Sequence, residues 1–109
     1  MNLASALAAG RRAEVEFSGS VTTVPRFFYG ARTHCEHEAF MLRTSSGPVE
    51  VVDNVAIAPR IPVAPGDTVD VRGELVRDQG RPPVVHWTHH DPSGVHADGF
   101  IRLRGRVYA

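Results

Sequence analysis

The chain has 109 residues, 42% of them apolar and 22% charged, the size and composition of one globular domain. Twelve Arg balance twelve Asp and Glu, with no Lys, so the net charge is zero and the strongly basic balance of a dedicated nucleic-acid binder is absent, although a local patch stays open. Ten Gly and eight Pro are too many for a helical bundle, while runs of Val, Ile, Leu and Phe exclude a disordered chain, which leaves a β-rich domain.

Leu3, Ala6 and Leu7 recur at helical spacing and Gly10, Arg11 and Arg12 supply a stop, so residues 1–12 are predicted to form a short N-terminal helical segment. From Ala13 to Val24 the period changes. Val15, Phe17, Gly19 and Val21 alternate with Glu14, Glu16, Ser18 and Ser20, the repeat of a half-buried strand closed by Pro25. Residues 26–36 read as a loop carrying Phe27, Phe28, Tyr29 and Gly30, and His37–Thr44 as a second strand with Phe40 and Leu42 on one face. Ser45–Pro48 make a turn, Val49–Val55 a third strand, and the Pro-broken stretch Ile57–Pro65 a connection with room for one helical turn at most. Val69, Val71, Gly73 and Leu75 against Asp70, Arg72 and Glu74 give the clearest strand. A hairpin tip at Asp78–Gly80 leads into a fifth, Val84–Thr88, and Gly99–Tyr108 supplies a sixth.

Five or six short strands, with Gly73 where a sheet can coil sharply, predict an all-β fold: a small OB-fold-like barrel over residues 13–109 as a single domain, preceded by the helix. A small β-sandwich is the alternative. Val15, Phe17, Phe40, Leu42, Val69, Val71, Leu75, Val85 and Trp87 occupy the apolar phases and are the expected core. The apolar start, Leu3–Ala9, is too short to span a bilayer and lacks a preceding positive residue, and the lone Cys35 excludes an intrachain disulfide. Both favour a soluble cytoplasmic protein, with an exported form left open.

Four of the six histidines, His86, His89, His90 and His96, fall within eleven residues, beside Trp87, Asp91 and Asp98. Imidazole near neutral pH ligates divalent metals, transfers protons and hydrogen-bonds anions. In an extended chain His86 and His90 would lie roughly 13 Å apart, at about 3.3 Å per residue, so one shared ion demands a bend. Asp91, Pro92, Ser93 and Gly94 have the order of a type I turn, and a reversal there sets His96 opposite His89 or His90. The expected metal site is therefore His86, His90 and His96, with His89 as substitute and the loop of His34 and His37 as the source of a further ligand. Otherwise the histidines hydrogen-bond loop backbone and pack on Trp87, and Asp91 caps the turn.

The run HWTHHDP (His86–Pro92), followed by His96, Asp98, Gly99 and Phe100 and then by Gly105 and Tyr108, resembles the signature of the bacterial domain-of-unknown-function family number 3465. The resemblance covers roughly residues 13–109, through His37, Phe40, Asn54, Ala58, Pro59, Arg60, Gly66 and Asp67. Phe100 stands where the family more often has Trp, and the loop with Phe27, Phe28, His34 and Cys35 departs from the polar loop typical of relatives. The resemblance implies no established substrate, cofactor or reaction.

Arg102, Arg104 and Arg106 lie at two-residue spacing, which in one continuous strand makes a basic stripe able to track a phosphate backbone, with Phe27, Phe28 and Tyr29 to stack bases. Equally, Glu14 and Glu16 would pair with that stripe across the sheet. Cys35 beside His34 matches no Cys-His-Asn order and reads as a free thiol, while Arg60 is suited to orient an anion. Phosphate-binding glycine loops and nucleophile elbows are absent from the sequence.

The chain thus reads as a small binding module. Its ligand site is His86, Trp87, His89, His90, Asp91, His96 and Asp98, with His37, Asn54 and Arg60 as walls, for a small anionic ligand or a divalent metal such as zinc. The other classes are a metal-dependent hydrolase or nuclease with Asp91 or Asp98 as base, a single-stranded nucleic-acid-binding barrel, and a structural domain braced by its histidines; no membrane partner is expected. Binding ranks above catalysis because no nucleophile, oriented carboxylate dyad or complete metal triad is recognisable.

Overall fold

The computed structural model describes residues 1–78 and 80–109. One helix, α1 (Leu3–Ala9), precedes eight strands: β1 (Ala13–Val21), β2 (Arg26–Tyr29), β3 (Glu36–Thr44), β4 (Gly47–Asn54), β5 (Thr68–Val76), β6 (Val84–His86), β7 (Phe100–Leu103) and β8 (Arg106–Tyr108). The Asn2 side chain caps α1 by accepting from the Ser5 amide at 2.8 Å, and Gly10, at φ 69°, turns the chain out of it. Leu3 and Ala6 are buried in the same apolar cluster as the strands, so α1 packs its apolar face onto the sheet.

β1 runs antiparallel to β5 from Ala13 to Ser20 and meets the far end of β3 at Ser20 and Val21. β3 and β4 form a hairpin, β4 pairs in parallel with β6, and β6 returns antiparallel to β5. The path β1-β3-β4-β6-β5-β1 therefore closes a five-strand barrel, which decides against the sandwich. β2 is added outside β3, and β7 and β8 extend β5. Val15, Phe40, Leu42, Val69, Val71, Leu75 and Val85 fill the interior as their alternation predicts, each contributing about 1.5–3 kcal/mol of burial. Phe17 is half-buried at the margin of this cluster.

Several boundaries depart from the periodicity. Residues 26–29, predicted as loop, form β2, whose Phe28 stacks on His37 at 5.4 Å; three consecutive aromatics hide the two-residue repeat there. The fifth predicted strand stops at His86 because Trp87 takes φ 55°, and this turn carries Trp87 out of the expected core. Gln79, in the predicted hairpin tip, lies outside the described residues. Gly99–Tyr108 is not one strand: Arg104 (φ 50°) and Gly105 (φ 79°) form a two-residue hairpin turn between β7 and β8.

That hairpin abolishes the basic stripe. Arg102 pairs with Asp70 and Arg104 with Asp67, each at 3.3 Å, while Arg106 lies over the Tyr108 ring. Glu14 and Glu16 face Glu74 and Arg72 in the β1–β5 register instead of those arginines. Among the described residues no helix is long and apolar enough to cross a membrane.

Candidate functional site

The site is built where β6 ends. The backbone of residues 86–88 lies against two glycines: a Cβ on Gly73 would collide with the His86 carbonyl, and one on Gly99 with the Trp87 carbonyl, the Arg72 carbonyl (2.6 Å) and the Thr88 Cα (2.9 Å). The Gly99 amide also donates to the His89 carbonyl at 2.9 Å, so residues 89–99 form a loop closed at its base.

Asp91 organises that loop. Its carbonyl accepts from the Gly94 amide at 3.1 Å, the expected turn, and its carboxylate accepts from the Ser93 amide (2.9 Å), the Ser93 hydroxyl (2.7 Å) and the His96 amide (2.7 Å). The His96 amide, followed by the Ser93 hydroxyl, holds the Asp91 carboxyl far below the usual carboxylate range. Asp98 accepts from the Asp91 amide at 3.1 Å and meets His90 Nδ1 at 2.9 Å; the Asp91 amide first, and then His90, lower its carboxyl as well.

The histidines diverge within this frame. His86 Nε2 lies 3.1 Å from Glu74 Oε1, and His96 Nδ1 lies 3.8 Å from the other oxygen of the same carboxylate. The Trp87 indole stacks on the His96 ring at 4.0 Å and tilts against His89 at 5.5 Å. Burial lowers the His86 pKa, against the raising effect of Glu74. His90 faces solvent with Asp98. The reversal at Asp91 is therefore made, yet it delivers His86 and His96 to Glu74 and leaves His90 apart. Among the described residues no group of three or more His, Cys, Asp or Glu is arranged to hold a metal ion.

A groove of about 210 Å³ opens on the outer face of the sheet, lined by Thr33, His37, Val52, Asn54, His86, Trp87 and His89. Strand alternation places it there. Val49, Val51 and Asp53 of β4 are buried inside the barrel, which turns Val52 and Asn54 outward, and His37 is the register partner of Asn54. His37 Nδ1 bonds the Cys35 carbonyl at 3.0 Å and His89 Nδ1 bonds the His90 carbonyl at 2.7 Å. A carbonyl only accepts, so in both rings Nδ1 carries the hydrogen and, when the ring is neutral, Nε2 carries a lone pair. The Asn54 side-chain oxygen accepts from the Ala56 amide at 3.0 Å, which leaves its NH2 as the free donor.

The structure thus gathers His37, Asn54, His86, Trp87 and His89 around one groove and sets the remaining expected residues elsewhere. His90, Asp91, His96 and Asp98 belong to the loop behind it. Arg60 pairs with Glu36 and stacks on Phe27 at 4.4 Å, beside a separate shallow groove with Pro25, Pro62 and Tyr108. His34, at φ 55°, meets Tyr29 edge-on.

Sequence reasoning missed two acids. Glu38 and Asp53 are completely buried and directly opposite one another in the β3–β4 register. Glu38 Oε1 accepts from the Ile61 amide at 2.8 Å and Asp53 Oδ1 from the Thr88 hydroxyl at 2.9 Å. The signal was present in the phase: Glu38 alternates with Phe40 and Leu42, and Asp53 with Val49 and Val51, so each acid occupies a core position of its strand.

A family described as Protein of unknown function (DUF3465) matches residues 3–109, a span that takes in α1 as well as the strands. No curated protein and no solved structure matches the chain.

Proposed function

The chain belongs to that family of unknown function, and from this premise we propose that it is a non-enzymatic binding module whose ligand occupies the groove between His37 and the His86–His89 segment. The supporting observation is the pair of imidazoles, His37 and His89, anchored by backbone carbonyls on two flanks of one groove. In the neutral rings the Nε2 atoms accept hydrogen bonds, Asn54 donates, and Val52 and Trp87 supply apolar contact. This combination suits a small, flat molecule that carries an N–H or O–H donor next to an acceptor. The volume is below the roughly 300–1,000 Å³ of drug-sized sites, so the ligand is small.

An anionic ligand, the class the histidine density suggests, meets in the same groove the Asn54 NH2 as its donor. A zinc-type ion asks for three or four protein ligands, and the described residues arrange no such group, so an organic ligand is better supported. Pairing of Arg102 and Arg104 with acids likewise weakens the single-stranded nucleic-acid reading.

Trp87 is the only tryptophan and reports on the groove by fluorescence. Uracil, a planar ring with adjacent N–H and carbonyl groups, inorganic phosphate and zinc ion are the probes. Uracil is expected to shift the Trp87 signal and the Asn54 and His89 amide resonances at pH 7, and His37→Ala or His89→Ala to weaken it about tenfold, the worth of one hydrogen bond to a small ligand. Phosphate is expected to bind more weakly than uracil, because it leaves the imidazole acceptors of the groove without a donor. Silence from all three probes, or responses indifferent to both variants, overturns the proposal.

A further inference from the structure

The outward side chains of β3 and β4 line the groove; at the same level, the inward ones are Glu38 and Asp53, which the reading above leaves without a role. Side chains directly opposite in an antiparallel pair have Cβ atoms about 4.5–5.5 Å apart, so these two buried acids enter the barrel interior as neighbours. One oxygen of each is held, by the Ile61 amide and by the Thr88 hydroxyl. The other two, Glu38 Oε2 and Asp53 Oδ2, are buried and find no donor among the described residues. Two such neighbours cannot both stay ionised out of water, and a proton on one supplies the donor that the other lacks.

We propose that Glu38 and Asp53 share one proton between Oε2 and Oδ2, and that this proton positions the wall of the ligand groove, making the groove sensitive to pH. The inference rests on the groove being the ligand site. The linkage is short. Asp53 lies between Val52 and Asn54, and its bond to Thr88 fixes the residue between Trp87 and His89. Thr88 also reaches the Val52 carbonyl at 3.3 Å, and Glu38 follows His37 on β3. Losing the proton sets two unscreened charges face to face beneath all three walls.

The surroundings favour retention of the proton. Burial, with a smaller contribution from Asp53, pushes the Glu38 carboxyl up to about 7 against the Ile61 amide and Arg60, which lower it. Burial pushes Asp53 up to about 6 against the Thr88 hydroxyl and the Asn54 amide. The charged groups acting on the pair are thus its own members and Arg60; β2 sets Phe27 opposite Glu38, and the segment after β6 presents the neutral Thr88. For an acid with a raised folded pKa, the folded state binds more protons than the unfolded one between about pH 4 and the folded value. Stability contributed by the shared proton is therefore full below about pH 4 and is lost progressively as pH rises from there through the folded value.

The test is a carboxyl carbon NMR titration of the full chain without ligand, following Glu38, Asp53 and the amides of Asn54, Thr88 and His89. One carboxyl is expected to titrate near neutrality, about two pH units or more above its ordinary value, and the three amides to move with the same midpoint. Glu38→Gln and Asp53→Asn carry their own donor, so each should abolish that step and hold the amides still. Both carboxyls titrating near pH 4, or a near-neutral step that leaves the amides unmoved, overturns the inference, and the parent titration decides it even if a variant does not fold. A near-neutral step with silence from uracil, phosphate and zinc refutes the groove as ligand site and spares the shared proton. Uracil binding that His37→Ala and His89→Ala weaken, with both carboxyls titrating near 4, refutes the inference and spares the groove.

Discussion

Gly99→Ala should damage the site from beneath it. Gly99 has no positive φ, so alanine is not strained by the backbone; the obstacle is the space its methyl group needs, which the Trp87 and Arg72 carbonyls and the Thr88 Cα already fill. All three obstacles are backbone atoms, so no side chain can rotate away, and the loop must lift off β5. Overpacking of this kind costs about 1–3 kcal/mol. The displaced Gly99 amide also surrenders its 2.9 Å bond to the His89 carbonyl, about 0.5–1.5 kcal/mol more. The sum, about 1.5–4.5 kcal/mol, corresponds to a loss of roughly 6–30 °C in Tm for a domain of this size. Urea and thermal unfolding give the stability, and amide spectra give the location: Trp87, Thr88 and His89 should shift most. Gly47→Ala is the control, because Gly47 has φ 104° and nothing within 4 Å of an added Cβ. It should lose only about 1–2 kcal/mol of backbone strain and leave the groove amides in place. A Gly99→Ala protein within about 0.5 kcal/mol of the parent would refute the close-approach argument.

Two further outcomes follow from the site. His86 should titrate below 6.5 in the folded chain; because burial lowers it, the stability it contributes is complete above about pH 6.5 and is lost as pH falls through its folded value. Glu74→Gln should lower its midpoint further by removing the raising partner, and a parent midpoint at or above 6.5 in a ring-proton NMR titration contradicts this. Asp91→Ala should free the Ser93 and His96 amides and speed their hydrogen exchange about tenfold or more, at pH 7 where the parent carboxylate is ionised. Unchanged exchange at both positions would show that the loop holds without that carboxylate.

Much of the barrel was legible because strand alternation reports burial directly. Val69, Val71 and Leu75 illustrate the rule, each buried and each separated by an outward polar residue. Two of the misplaced strand ends share one cause: a local backbone choice that side-chain period does not encode. Trp87 and Arg104 adopt left-handed conformations with ordinary side chains, so one strand ended early and another folded back on itself. The site was legible in part. Asp91–Gly94 announced its turn, and the density of imidazole pointed to the right segment. What the spacing could not supply was direction: the bonds from Asp91 to Ser93 and His96 decide which way each ring faces, and they send His90 away from His96. Glu38 and Asp53 were overlooked because charged residues are expected on solvent faces even when their phase places them in the core.

The shortness of β6 has a consequence for how the molecule opens. Its parallel seam with β4 consists of two residue pairs, Glu50 with Val84 and Val51 with Val85, as few as the antiparallel β1–β3 seam, whereas β1 and β5 are joined along eight. Parallel pairing is also slightly less stable per residue, so this seam is the natural place for the cylinder to unzip while the rest of the sheet persists. The strand that completes the barrel leads directly into Trp87, Thr88 and His89. Final closure of the cylinder and assembly of the pocket are one event, and anything bound there acts as a clasp: it can hold only the closed form, and by holding it slows local opening along a single seam.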